Sequence, residues 1–229
     1  MLVGAEDCFQ AFEQICRLNL KKVQEREVIR VLLQCCLTEK TYNKYYGLVA
    51  EKMVQHAPQS YKYTLKYTLW DHLKTIEKLK VRQVVNLAKF YGGLVANNSI
   101  PLHFLKVVDF SSEHSKPLLL FLHLLLDTVF EESETLKEVF ERGLPKVSNK
   151  RALNYDSDSD DDFMQSKKEA RSKAEKPEGE DNSEQLKEFV KGFATFILTK
   201  FYNRVKDNEA LQGKIKEAFE VIGDRRNTK

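Results

Sequence analysis

Apolar residues recur along this chain at helical spacing, and residues 25–46, EREVIRVLLQCCLTEKTYNKYY, show the pattern at its cleanest. Val28, Leu32, Cys35 and Cys36 fall at i, i+4, i+7 and i+8, while Ile29 and Leu33 widen the same stripe. That periodicity predicts a helix with one buried face, and places Glu25, Arg26, Glu27, Arg30 and Gln34 on the other. A polar break at 38–40 and an aromatic-rich second start complete a helical hairpin. A hairpin of this kind cannot bury its stripe alone and needs another stacked on it.

The same periodicity continues from Glu6 to Arg142 and predicts helices near 5–18, 22–37, 42–56, 59–78, 81–96, 101–108, 115–131 and 133–142. Asn19, Pro58 and the run Asn97-Asn98-Ser99 mark breaks. Pro101 stands where a first-turn proline is favoured, with Ser99 nearby as a cap, and Ser115 precedes Lys116-Pro117 in a similar start. Gly143 and Pro145 end the last helix. No segment alternates with period two, so the reading is all-α. The short connections argue for antiparallel neighbours packed in sequence order.

Beyond residue 145 the character changes. Residues 146–185 include the acidic, serine-bearing run NYDSDSDDDF and the charged KKEARSKAEKPEGEDNSE. So little apolar surface cannot offset the entropy of ordering, and a disordered insert is expected. A helical pattern returns with Leu186, Phe189, Val190, Phe193, Phe196, Ile197, Phe201 and Tyr202, then Leu211, Ile215, Ala218, Phe219 and Ile222. This last pair is too small to stand alone. The expected organisation is therefore a hairpin domain over 1–145, the insert over 146–185, and helices over 186–229 that dock back on the domain.

At 229 residues and 42% hydrophobic, the chain can bury a sizeable core. No apolar run approaches the roughly 18–20 residues needed to span a bilayer, and no membrane association is read. No basic region precedes an apolar stretch at the start, so no secretory signal is read either. The four cysteines, Cys8, Cys16, Cys35 and Cys36, lack paired CxxC spacing and read as buried free thiols in a reducing compartment. The net charge of +3 does not announce a nucleic-acid binder. Its distribution is more informative: 146–185 carries 8 basic and 11 acidic side chains, and 186–229 carries 10 and 6.

Three stretches together resemble the MA-3 domain, an atypical HEAT-like array of stacked antiparallel hairpins. They are GAEDCFQAFEQICRLNLK at 4–21, REVIRVLLQCCLTEKTYNKYY at 26–46, and YKYTLKYTLWDHL at 61–73 followed by LHFLKVVDFSSEHSKPLLLFLHLLL at 102–126. The likeness is greatest to the C-terminal domain of the nucleolar MIF4G-domain proteins of small-subunit ribosome biogenesis. It covers 4–145 well and 186–222 loosely. The acidic insert departs from the family's core pattern, and no MIF4G domain precedes the array, so a fragment or truncated form of a longer protein is expected. The resemblance implies a nucleolar or nuclear, non-enzymatic protein-interaction scaffold in 18S assembly and pre-rRNA processing, with no cofactor and with pre-ribosomal assembly factors as partners. It also leaves open a translation-type module that binds and modulates a DEAD-box RNA helicase. In the nucleolar members the MIF4G domain is the expected helicase binder.

No catalytic or metal constellation emerges from the residues. His56, His72, His103, His114 and His123 are scattered. Gly92-Gly93, inside a helical pattern, reads as close helix packing rather than a phosphate loop. The best surface candidate is residues 61–82. Leu65, Leu69, Leu73 and Ile76 make one apolar face, Tyr63, Tyr67 and Trp70 a neighbouring aromatic stripe, and Lys62, Lys66, Lys74, Lys78, Lys80 and Arg82 supply charge. Basic side chains among aromatics can hold RNA, making direct RNA or pre-rRNA binding a further reading. Plain packing of the stripe and a protein-binding groove stand beside it. Trp70 and the Tyr45-Tyr46 turn are the expected partner anchors. Ser157 and Ser159 each precede an acidic residue by three positions and suit an acidophilic kinase of the casein-kinase-two type. The run Lys106 to Phe110 fits a loose phosphatase-docking pattern but continues an apolar helical one, which argues for burial.

Overall fold

The computed structural model describes residues 4–144, 178–204 and 208–226. Ser157 and Ser159, with most of the expected insert, lie outside them. The described residues form α1 (Cys8–Arg17), α2 (Lys22–Thr38), α3 (Lys44–His56), α4 (Pro58–Lys74), α5 (Val81–Ala96), α6 (Lys116–Glu132), α7 (Leu136–Gly143), α8 (Glu178–Phe196) and α9 (Glu209–Arg226). Short 3₁₀ elements at Ile76–Lys78 and Leu102–Val107 punctuate the series. A π-helical turn, Ile197–Phe201, continues α8 into Tyr202–Arg204. Among the described residues there is no strand, and no helix is long and apolar enough to cross a membrane. The fold is the all-α hairpin stack expected.

Local chemistry sets the boundaries. Asp7 caps α1, its carboxylate accepting from the Gln10 amide at 2.7 Å, and Asn43 caps α3 by accepting from Tyr45 at 3.0 Å. Pro58 and Pro117 occupy the first turns of α4 and α6, where a missing N–H costs nothing. Asn19 and Asn98 take left-handed φ of 46° and 56° just past α1 and α5, a conformation asparagine tolerates better than most residues. After Asn98 the Ser99 amide donates to the Leu94 carbonyl at 2.9 Å, so Ser99 closes α5 and caps no new helix.

Some expected elements differ. The helix expected over 101–108 is a 3₁₀ element, Leu102–Val107, which buries Leu102, Phe104 and Leu105. The helix expected over 59–78 ends at Lys74, with Ile76–Lys78 a separate 3₁₀ turn. Further along, α8 begins at Glu178, inside the span expected as insert.

α5 is the spine. It lies along α6, and Gly92 allows the approach, since a Cβ there would lie 2.7 Å from Thr128 Cβ. Two polar ties fix α5 to the earlier hairpins. The buried Asn86 amide donates to the carbonyls of Cys36 (2.9 Å) and Glu39 (3.2 Å), satisfying acceptors that the end of α2 leaves open. The buried Tyr91 hydroxyl donates to the Leu65 carbonyl of α4 at 2.9 Å. Of the stripe read from α2, Ile29, Leu32, Leu33 and Cys36 are fully buried, Val28 and Cys35 lie half-buried at its edge, and Leu37 joins it.

The C-terminal helices join the same hydrophobic core. Phe110 sits among Phe189, Phe193 and Phe196 with ring centroids 5.4–5.8 Å away, and Phe130 stacks on Phe201 at 5.4 Å. Ile215, Ala218 and Ile222 of α9 are buried, and this helix packs mainly on α7 and α8. Arg204 pairs with Asp127 at 2.9 Å, and Lys214 donates to the Phe130 carbonyl.

The cysteines divide. All four are free thiols, but only Cys36 is buried, and burial, with Glu39 and Cys35 adding to it, pushes its thiol up to about 12. Cys8 and Cys35 are half-buried and Cys16 is exposed, because Ala11 and Ile15 carry the buried stripe of α1.

Candidate functional site

The outer face of α4 gathers aromatic and basic residues along successive turns. Tyr63, Tyr67 and Trp70 stand at i, i+4 and i+7, successive turns of one helix face. Tyr63 and Tyr67 lie 4.4 Å apart between ring centroids, and Tyr67 meets Trp70 edge-on at 5.3 Å. Both tyrosines remain 39% and 38% exposed, whereas Tyr61 on the same helix is 6% exposed. The stripe is thus a surface ladder and only partly core.

Cations reach this ladder from three elements. Lys66 of α4 holds its ammonium 4.8 Å from the Trp70 ring and 5.4 Å from the Tyr67 ring. Lys106, from the 3₁₀ element Leu102–Val107, approaches Trp70 to 6.0 Å, and Arg26 of α2 approaches Tyr63 to 5.8 Å. Each contact falls within the range over which a ring's quadrupole attracts a cation. The Trp70 indole N–H donates to the Phe104 carbonyl at 2.8 Å, which clamps the 3₁₀ element to α4 and brings Lys106 into place. Lys62 lies one turn before Lys66. Burial, and then the nearby Arg142 guanidinium at the end of α7, lower its pKa.

Several expected site residues fall elsewhere. Lys66 is 4% exposed, so it is not the solvated cation its spacing suggested: its stem packs between hairpins while its ammonium sits against two rings. Lys74 is exposed but pairs with Asp71 at 3.8 Å, and Lys78 and Arg82 are exposed beyond the end of α4. The Tyr45-Tyr46 turn is no open anchor. Tyr46 is 4% exposed and donates its hydroxyl to Glu39 at 2.9 Å; burial, and then this bond, raise its pKa. Tyr45 packs edge-on against it at 5.4 Å. Arg26, Lys106 and Arg142 carry no sequence signal that assigns them to this face. Arg26 is legible only as a polar-face residue of α2, and the other two reach the face through tertiary contacts.

No reaction centre forms around these groups. Among the described residues no group of three or more His, Cys, Asp or Glu converges as metal ligands do. His114 and His123 lie against the Phe110–Phe196 cluster, and burial lowers the pKa of each. In the segment resembling a phosphatase-docking peptide, Val108 is buried and Phe110 is packed among three phenylalanines, while Val107, expected to be buried with them, is 39% exposed.

The described helices form a stack of hairpins with rings and cations gathered along the α4 face. Residues 2–101 match the family model of the MA3 domain. Over 133 residues it is 38% identical to nucleolar MIF4G domain-containing protein 1 of Mus musculus, an alignment covering 58% of this chain and 15% of that protein. It is 34% identical over 148 residues to suppressor of glycerol defect protein 1 of Schizosaccharomyces pombe, covering 60% of this chain and 19% of that one. Pre-mRNA-splicing factor CWC22 of Yarrowia lipolytica is 31% identical over 105 residues, covering 46% and 11%. The chain spans less than a fifth of the length of these curated relatives.

Proposed function

We propose that this chain is a non-enzymatic interaction scaffold in nucleolar small-subunit assembly and pre-rRNA processing, and that the α4 face is its working surface on the pre-ribosomal particle. The observation that carries the nucleolar reading is the 38% identity to a protein named as nucleolar. The geometry supports docking rather than catalysis: rings and cations lie along a helix face, and no nucleophile, base and oxyanion donors meet at one point among the described residues. Hairpin stacks present extended surfaces of this kind to large partners.

The test is affinity purification of the tagged chain from nucleolar extract, with mass spectrometry and sequencing of the bound RNA. Small-subunit assembly factors together with 18S precursors are the expected yield. Recovery of initiation factors or a lone helicase without pre-rRNA would replace this reading with a translation-type role.

A further inference from the structure

We infer that a groove at the end of α4 docks a basic protein segment. The segment inserts an apolar side chain and sets lysine or arginine against Glu77, Asp109 and Glu113. The inference rests on the scaffold reading above and names the chemistry of one partner.

The groove opens one turn beyond Trp70 on the same helix. It measures about 310 Å³, and Leu73, Ile76, Val107, Val108 and Leu118 supply its apolar lining. Ligand pockets run from about 300 to 1,000 Å³, so this one suits one or two inserted side chains. Val107 marks it as more than a seam between packed elements. Its neighbours Leu105 and Val108 are 2% and 8% exposed, yet Val107 is 39% exposed at the groove. A partner that covers this side chain gains the free energy of removing it from water.

Charge decides what that partner carries. The titratable groups of the lining are Lys74, Glu77, Asp109, Glu113 and His114. Lys74 is tied to Asp71 at 3.8 Å. The His114 ring lies against Phe110 and Phe196, and burial lowers its pKa, so it is uncharged at neutral pH. Three exposed carboxylates are left. That of Asp109 accepts from the Ser111 amide at 2.9 Å, and neither Glu77 nor Glu113 pairs with a cation among the described residues. Lys78 and Lys116 are exposed but lie outside the lining, and Lys66 and Lys106 are engaged over the Trp70 ring.

A nucleic acid or an acidic peptide would bring its own charge against these carboxylates. A neutral apolar segment would cover Val107 and strip water from the acids without replacing it. Among the described residues no three carboxyl or imidazole groups converge as metal ligands do, so the counter-charge has to be spread along a chain. Lysine or arginine beside an aliphatic residue answers both needs, its stem packing on the apolar lining while its head group reaches the rim.

The experiment titrates the full chain with a labelled Arg-Lys-Leu-Leu-Lys-Arg peptide. Anisotropy reads the binding, and amide chemical shifts of the isotope-labelled protein read its place. Saturable binding is expected, with shifts gathered at 73–77, 107–109 and 112–118. Affinity should fall as salt is raised, because the paired charges are exposed. Glu77→Lys with Glu113→Lys should weaken binding about tenfold or more, since each reversal sets like charges together. Val107→Ser should weaken it several-fold, and Val107→Ile should retain it. Glu217→Lys with Glu220→Lys, at exposed acids of α9 outside the groove, should leave it unchanged. Circular dichroism of each variant checks the fold, and the shift map of the native chain needs no variant.

No saturable binding by the native chain would overturn the inference, as would shifts gathered away from the groove. Equal affinity for an Arg-Lys-Ser-Ser-Lys-Arg peptide would overturn it by showing charge attraction alone. Equal affinity for a Glu-Asp-Leu-Leu-Asp-Glu peptide would do so by showing an unselective apolar patch. If the basic peptide fails to bind yet small-subunit factors still come down from extract, this inference fails and the scaffold reading stands. If it binds in the groove but none of those factors is captured, the groove stands and the nucleolar reading fails.

Discussion

At Gly92 two helices meet with no room for a methyl group. A Cβ would lie 2.7 Å from Thr128 Cβ and 3.1 Å from the Leu125 carbonyl oxygen, backbone that α6 cannot withdraw. Gly92→Val should therefore cost about 1–3 kcal/mol by overpacking, read as a lower urea midpoint with an unchanged slope. Asn86 is the polar counterpart. Asn86→Leu would leave the Cys36 and Glu39 carbonyls without their donor, and a loss of about 1–3 kcal/mol is expected in the same assay. The two residues differ in how far sequence reveals them. A paired glycine inside a helical pattern points to close packing by its placement alone. Asn86 gives no such sign, because its acceptors lie 50 and 47 residues earlier in the chain. Lys66 misleads for a related reason: lysine between aromatics reads as solvated, and only the packing of adjoining elements shows its stem enclosed.

At the scale of elements, α8 depends on its phenylalanines. Phe193 is 0% exposed, stacks on Phe189 at 5.5 Å and meets Phe110 at 5.4 Å. Phe193→Ala should cost about 3–5 kcal/mol, measured by chemical denaturation. The same contact is acid-sensitive. His114 lies between Phe110 and Phe196, with Asp109 and Lys200 nearby, and His123 stacks on Phe196 with Arg204 and Asp127 nearby. Burial, the largest influence on both imidazoles, lowers each pKa beneath the ordinary 6.5. The unfolded chain then binds more protons than the folded one as pH falls below 6.5, so the stability these neutral imidazoles contribute is present above that value and lost below it. The melting temperature should fall between pH 6.5 and 5, and His114→Gln with His123→Gln should flatten that fall. Helix positions from α2 to α7 are legible in the sequence because their stripes are long and their breaks chemically marked. The 3₁₀ element reads as α in sequence because six residues are too few to separate a period of 3.0 from one of 3.6.

At the scale of the molecule, the hairpin stack is legible in the sequence and the site only half so. One helix carries Tyr63, Tyr67, Trp70, Lys62 and Lys66 in register, and register can be read from spacing. Arg26 and Lys106 come from segments on either side, joined by the packing of α2 on α4 and by the Trp70–Phe104 hydrogen bond, which no periodicity announces. The ties that Asn86 and Tyr91 make have a consequence for how the array opens. Hairpin arrays with contacts limited to adjacent units fray from their ends, each unit exchanging its amides at its own rate. Here α5 is bonded through side chains to α2 and α4 and lies along α6, so releasing α2 or α4 breaks a buried hydrogen bond to α5. The central amides of α2, α4, α5 and α6 should exchange with deuterium as one set with a common opening free energy, and Asn86→Leu should split α2 away from it into a faster class.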